Sequence, residues 1–182
     1  MGGVVICTTY GLQQDLSGKR SNGNVYEYRT NEVMNVRKTC KCGHVMELEL
    51  RTVVYAKKVE IRNVPVFACT DCISYEVLQP VKPDLKECIS KLGEQPVKQD
   101  LSFGKQNELA DLFHEQLLAW PDASDREMAH HMQQAVNERI NLLLDIMGYA
   151  QKSGDEEWIE TTERRLSQLS GFVWQAHFSN AV

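Results

Sequence analysis

The chain has few of the features that stabilise a small secreted protein or anchor one in a membrane. Only six of its 182 residues are cysteine, which is too few for a disulfide scaffold. A chain of this length buries about 70% of its unfolded surface, so it can fold without covalent cross-links. Its longest apolar stretch, 140–149, is interrupted by Asn141 and Asp145 and is far shorter than the roughly 20 residues that span a bilayer. We therefore expect no membrane-spanning segment.

Signals for secretion and for common enzyme classes are also missing. The apolar run at Val4–Cys7 is short and follows no basic residue, unlike a signal peptide. The sequence contains no glycine-rich dinucleotide loop, no P-loop and no Gly-x-Ser-x-Gly motif. These absences predict a non-catalytic protein in a reducing, cytoplasmic compartment.

Charge divides the chain into two unequal parts. Residues 1–100 carry 14 basic and 12 acidic residues, whereas 101–182 carry 6 basic and 13 acidic residues, within an overall net charge of −5. Such an acidic C-terminal half does not favour contact with nucleic-acid phosphates. The asymmetry predicts two structural parts that meet near residue 100.

Residues 1–80 are predicted to form a β-rich domain. Apolar residues alternate with polar ones in 46–55 and 59–67, a pattern typical of two strands. Pro65 should lie at an edge or a strand end because proline has no N–H to donate. Shorter candidate strands cover 4–10, 24–28 and 32–36.

Residues 103–182 are predicted to form a helical bundle. Apolar residues recur at helical spacing over 105–119, and the pair Ser124 and Glu127 has the spacing of a capping box at the start of a second helix. That second helix should run to about Lys152.

Gly154 predicts a tight turn into a third helix at 155–176, so the last two helices should form an antiparallel hairpin. Residues 81–102 are predicted to be a connector with a short helix at 83–92. The fold class is therefore predicted to be α+β, with a small β-rich part before the bundle.

Two pairs of cysteines provide the strongest chemical signal. Cys40 and Cys42 precede two strand-like segments, and Cys69 and Cys72 follow them. Four thiolates on two short turns that a hairpin brings together form a tetrahedral site for a structural zinc ion. The small β-rich part before the bundle is therefore predicted to be zinc ribbon-like. Gly43 suits such a turn because it can take unusual backbone angles.

The spacing of the first pair leaves alternatives open. A standard knuckle has two residues between its cysteines, but only Lys41 separates Cys40 from Cys42. Either the turn is tightened or His44 replaces one thiol as a ligand. The cysteines could instead be inert buried thiols, or Cys69 and Cys72 could be a redox dithiol without the usual strand-then-helix setting.

The segment 61–72, following Cys42-Gly43, resembles the YgiT-type zinc finger, which forms the N-terminal domain of MqsA-type antitoxins and related bacterial regulators. The resemblance covers about residues 38–80. It implies zinc ligation by Cys42, Cys69 and Cys72, and by Cys40 with a shift of one residue. It also implies that the zinc is structural and that the finger contacts other proteins, as in an antitoxin. The family's DNA-binding members append a helix-turn-helix domain, but the long acidic hairpin predicted here does not match a short basic recognition helix.

The leading hypothesis is a regulatory or adaptor protein that acts through contacts with another protein. A first alternative is a nucleic-acid-binding transcriptional regulator that uses the basic window 19–62, where tyrosines such as Tyr26, Tyr28 and Tyr55 could stack on bases. The basic residues chosen as its candidates are Lys38, Lys41, Arg51, Lys57, Lys58 and Arg62.

Two further hypotheses concern the helical half. Glu127 and His130 fit the Glu-x-x-His motif of di-metal enzymes in helical bundles, although no second copy of the motif is present. A bundle-metal or dithiol enzyme is therefore a second alternative. Leu142, Leu144 and Tyr149 are apolar residues outside the main stripe of their helix, which suggests a homodimer through the bundle.

Overall fold

The computed structural model describes residues 4–7 and 38–178, where the chain adopts the predicted α+β fold. The candidate strands at 24–28 and 32–36, and residues 8–10 of the first, lie outside the described residues. The helices and strands follow in this order: β1 (Val4–Cys7), β2 (Lys38–Thr39), β3 (Val45–Tyr55), β4 (Val59–Cys69), β5 (Tyr75–Val77), α1 (Lys82–Leu92), β6 (Gln99–Ser102), α2 (Glu108–Ala119), α3 (Asp125–Ser153) and α4 (Glu156–Phe178).

A long antiparallel hairpin of β3 and β4 forms the centre of the sheet. Its turn places Ala56 and Lys57 at φ of 50° and 55°, and the amide of Lys58 donates to the carbonyl of Tyr55 at 3.0 Å. Positive φ at both central residues matches the right-handed twist of the flanking strands. β1 and β2 both pair with β3 on its other side.

β4 changes its outer neighbour halfway along its length. Its first residues pair in parallel with β6, and its last residues pair with β5. Between these two partners the strand is bulged, with Asn63 at φ of 61°. The bulge bends β4 where one neighbour ends and the other begins.

Pro65 lies inside β4, opposite Leu50, rather than at a strand end. Its carbonyl accepts a hydrogen bond of 3.0 Å from the amide of Leu78, which lies just beyond β5. The N and C=O of one strand residue point to the same side, so the missing N–H of Pro65 faces away from β3. The proline therefore occupies a local edge within a strand.

One hydrophobic core joins the sheet to the helices. Ile61 and Val64 of β4 belong to the same buried cluster as Leu109 of α2, Met132 of α3 and Leu169 of α4. The segment predicted as a connector contributes both to the sheet through β6 and to this core through Leu85 of α1.

The predicted start of α3 and the predicted turn between α3 and α4 are confirmed, whereas α2 begins at Glu108 rather than at residue 105. Ser124 and Glu127 form a complete capping box at the start of α3. Gly154 ends α3 in the left-handed conformation, at φ of 68° and ψ of 26°, and Asp155 accepts from the amide of Trp158 at 2.9 Å. α3 and α4 form the predicted hairpin. No helix within residues 38–178 has the length and apolar character needed to cross a bilayer.

Candidate metal centre

The register of the β3–β4 hairpin brings two short turns together at one end of the sheet. The first turn, residues 40–44, connects β2 to β3, and the second, residues 70–74, connects β4 to β5. Met46 pairs with Cys69, and the amide of Thr70 donates to the carbonyl of Val45 at 3.2 Å. We call residues 40–44 and 69–74 the knuckle.

The four predicted cysteines converge in the knuckle. Cys40 Sγ lies 3.6 Å from Cys72 Sγ, and Cys42 Sγ lies 3.5 Å from Cys69 Sγ. All four sulfurs lie within 4.8 Å of one another. A tetrahedral ion with metal–sulfur bonds of about 2.3 Å separates its sulfurs by about 3.8 Å. The four cysteines are therefore positioned to bind a metal ion.

The first turn is tightened to suit its short cysteine spacing. Gly43 donates its amide to the carbonyl of Cys40 at 2.9 Å, and Cys40 donates its own amide to the carbonyl of His44 at 2.8 Å. Gly43 takes φ of 91°, where a side chain would be strained. This conformation lets cysteines separated by one residue both face the cluster.

The second turn directs backbone amides at a sulfur. The amides of Asp71 and Cys72 lie 3.5 Å and 3.4 Å from Cys69 Sγ. Such donors stabilise the negative charge that a metal-binding thiolate carries. The turn is closed by the amide of Cys69, which donates to the carbonyl of Ser74 at 2.9 Å.

The thiols of the cluster differ in how easily they lose a proton. Hydrogen bonds from the side chain and the amide of Ser74 lower the pKa of Cys72 to about 6. The amide of His44 acts to lower the pKa of Cys42, but hydrogen bonds with the other three thiols and desolvation outweigh it and raise that pKa to about 12. A metal ion bound by all four sulfurs requires four thiolates, so metal uptake by the cluster should release protons.

His44 lies beside the cluster and forms a separate group. Its Nδ1 is 3.6 Å from Cys42 Sγ and 3.4 Å from Asp71 Oδ2. The four cysteines form one possible set of metal ligands, and Cys42, His44 and Asp71 form a second. The two sets share only Cys42. The geometry thus favours four cysteine ligands over a set in which His44 replaces one. Asp71 carries no signal in the sequence, where it stands only as a spacer between Cys69 and Cys72.

Three of the predicted nucleic-acid contacts are engaged with carboxylates. Lys38 pairs with Glu76, Arg51 with Glu49, and Arg62 with both Glu60 and Asp100. The Lys38–Glu76 pair links β2 to β5 beside the knuckle.

The other three basic candidates lie at opposite ends of the hairpin. Lys41 is exposed in the knuckle, and Lys57 and Lys58 are exposed in the turn after β3. The ten-residue rise of β3 separates these ends by about 33 Å. The six residues therefore do not form a single basic patch.

The helices contain no comparable group of metal-ligand donors among the residues that the structure describes. The carboxylate of Glu127 accepts hydrogen bonds from the amide and hydroxyl of Ser124, so it serves the capping box. His131, next to His130, stacks on Trp120 with ring centroids 4.3 Å apart. Cys88, which lies outside the knuckle, is buried in the hydrophobic core.

Comparisons with protein-family models, with curated proteins and with solved structures found no significant match for this chain.

Proposed function

We propose that this protein is a non-catalytic, zinc-binding regulatory or adaptor protein that acts through contacts with other proteins. The observation that carries the proposal is the convergence of four cysteine sulfurs at separations that suit a tetrahedral ion. Zinc is the ion that four thiolates in this geometry most often hold.

A closed set of four thiolates supports a structural rather than a catalytic role. Four protein ligands fill the tetrahedral positions of zinc, so no position is left for a water molecule or a substrate. The ion would instead fasten the first turn to the second, at the end of the hairpin farthest from the turn at Ala56 and Lys57.

The surface of the knuckle supports a role in protein contacts. Ile73 and Val45 are exposed apolar residues, 54% and 39% accessible, that flank the cysteine cluster. Exposed apolar side chains on a rigid support are typical of protein interaction sites. The resemblance to the YgiT-type finger makes an antitoxin-like role the specific form of this proposal, with a toxin protein as the partner.

Metal analysis and a thiol titration test the zinc site. The protein should be purified under reducing conditions, and its thiols counted before and after treatment with a chelator. We expect one tightly bound zinc ion per chain and four thiols released, because all four knuckle cysteines bind that ion. Three released thiols would place His44 in the site, and protein that takes up no zinc would contradict the proposal.

The α3–α4 hairpin offers a surface for a second copy of the chain. Leu142 and Tyr149 of α3 are 54% and 68% exposed, and their spacing of seven residues puts them on one side of the helix. We propose that this side forms a homodimer. In sedimentation experiments at micromolar concentration, we expect a dimer for the native chain and a monomer for a variant with Leu142→Glu and Tyr149→Glu.

The control for the dimer is Leu118→Glu, which places a single glutamate at an exposed leucine of α2, away from the proposed interface on α3. This variant should stay dimeric. A monomeric mass for the native chain would rule out the homodimer.

A further inference from the structure

A second set of metal-ligand donors lies on the outside of the four-cysteine cluster. Cys42 Sγ, His44 Nδ1 and Asp71 Oδ2 all lie within 4.8 Å of one another, and all three residues are exposed. The two turns of the knuckle supply them together, His44 from the first turn and Asp71 from the second. The set is therefore assembled by the same register that assembles the four thiols.

The donors of this outer set are chemically matched to one class of cation. One sulfur, one imidazole nitrogen and one carboxylate oxygen suit borderline divalent ions such as Zn²⁺, Co²⁺ and Ni²⁺. Three protein ligands leave an open coordination position for water or another donor. An ion bound there would be accessible to solvent and would exchange more readily than one enclosed by four thiolates.

The charge of the inner site favours a second cation beside it. Four thiolates around one divalent ion leave a net charge of about −2, and the carboxylate of Asp71 lies next to this charge. A thiolate keeps further lone pairs after binding one metal ion, so Cys42 can bridge two ions. Its exposed position, unlike that of the buried Cys40, gives the second ion access.

We propose that Cys42, His44 and Asp71 form a second, exchangeable site for a borderline divalent cation, with the thiolate of Cys42 shared between the two ions. The inference rests on the proposed zinc site because the first ion supplies the ionised Cys42 and the local negative charge. It assigns His44 a role beside the four cysteines and Asp71 a role as a ligand.

Titration of the full-length, metal-free protein with Co²⁺ tests the second site. Cobalt bound by four thiolates and cobalt bound by mixed donors differ in their visible and near-ultraviolet absorption. We expect the native chain to take up two equivalents, the first with the spectrum of four sulfurs and the second, weaker one with a mixed-donor spectrum. A variant with His44→Gln and Asp71→Asn should take up only the first.

Matched controls separate ligation from general charge effects. Glu47→Gln removes one negative charge from an exposed residue of β3 near the knuckle, and His114→Gln removes an imidazole from α2. Both should keep two equivalents. Because His44 and Asp71 are exposed, their substitution should leave the circular dichroism spectrum unchanged.

The outcomes distinguish the two proposals. Uptake of a single equivalent by the native chain would overturn the second site and leave the four-cysteine site in place, with His44 and Asp71 then only in contact with each other. Two equivalents in the variant as well as in the native chain would also overturn it, since the second ion would lie elsewhere. No uptake at all would overturn both proposals.

Discussion

Replacing Cys69 by serine is expected to remove the metal ion and open the knuckle while the helices stay folded. Removing a residue that only hydrogen-bonds to a metal ligand weakens metal affinity by about 10–100-fold. Removing a ligand itself should therefore weaken metal affinity by more than about 100-fold. Structural zinc supplies about 10–16 kcal/mol of apparent folding free energy in zinc-finger peptides. Most of the local stability of the knuckle should therefore depend on the ion.

The position of the main core explains why the effect should stay local. The buried cluster that joins sheet and helices includes residues of β3, β4 and β5, of which Val53 is the first along the chain. Cys40 and Met46 are buried but do not belong to this cluster. The knuckle thus has little apolar packing of its own to hold it closed without metal.

Amide hydrogen exchange of the full chain measures this effect directly. Residues 40–46 and 69–74 should exchange faster in Cys69→Ser, and in chelated native protein, while residues 128–150 of α3 keep their protection. Cys88→Ala removes a buried thiol outside the cluster and should retain the metal and the slow exchange of the knuckle. Loss of metal without faster exchange at the knuckle would show that the ion does not hold the turns together.

The helical half could be predicted closely because its boundaries depend on local chemistry. Ser124 and Glu127 satisfy each other's backbone amides wherever such a pair starts a helix, and Gly154 can adopt the left-handed conformation at little cost. The β3–β4 hairpin was predictable for a similar reason, since its alternation of apolar residues extends over two long strands.

The sequence predicts a strand that includes β1, but β5 and β6 could not be predicted because their pairing is decided by distant residues. β5 and β6 contain three and four residues, too few for a period to be visible. β6 lies parallel to β4, a contact that depends on how α1 returns the chain to the sheet. The position of Pro65 follows from the same cause, because Pro65 lies between the pairings with β5 and β6, where no strand requires an N–H from it.

The candidate site was predictable in its ligands but incomplete in its surroundings. Four cysteines in two pairs indicate a metal site from spacing alone. The sequence does not show which side of the cluster His44 faces, and it gives Asp71 no distinguishing signal. Their proximity arises from the register of β3 against β4, which places the first turn beside the second.

Replacing Glu108 by glutamine is expected to lower the global stability of the protein, in contrast to the local effect at the knuckle. Glu108 is buried, with 8% of its surface exposed, and its carboxylate accepts hydrogen bonds from Arg139 at 2.8 Å and from Arg165 at 2.5 Å. These three residues lie on α2, α3 and α4, so the carboxylate ties all three helices together. Burial acts to lower the pKa of Arg139, but Glu108 and Glu115 outweigh it and raise that pKa.

The expected cost follows from removing the negative charge that two guanidinium groups share, and one of the two oxygens that accept their hydrogen bonds. Removing one partner of a fully buried ion pair costs about 3–5 kcal/mol. Arg165 is partly exposed, and Arg139 keeps its contacts with Asp111 and Glu115, which reduce the penalty. We expect the free energy of unfolding to fall by about 2 kcal/mol in Glu108→Gln, measured by urea denaturation with helical circular dichroism as the signal.

Glu115→Gln provides the matched control for the buried carboxylate. Glu115 also contacts Arg139, at 2.9 Å, but its side chain is 48% exposed, so water and salt screen the pair. Exposed ion pairs contribute about 0–1 kcal/mol, and the loss in the control should stay within this range. Equal losses in the two variants would mean that burial of Glu108 adds nothing to the contribution of its ion pairs.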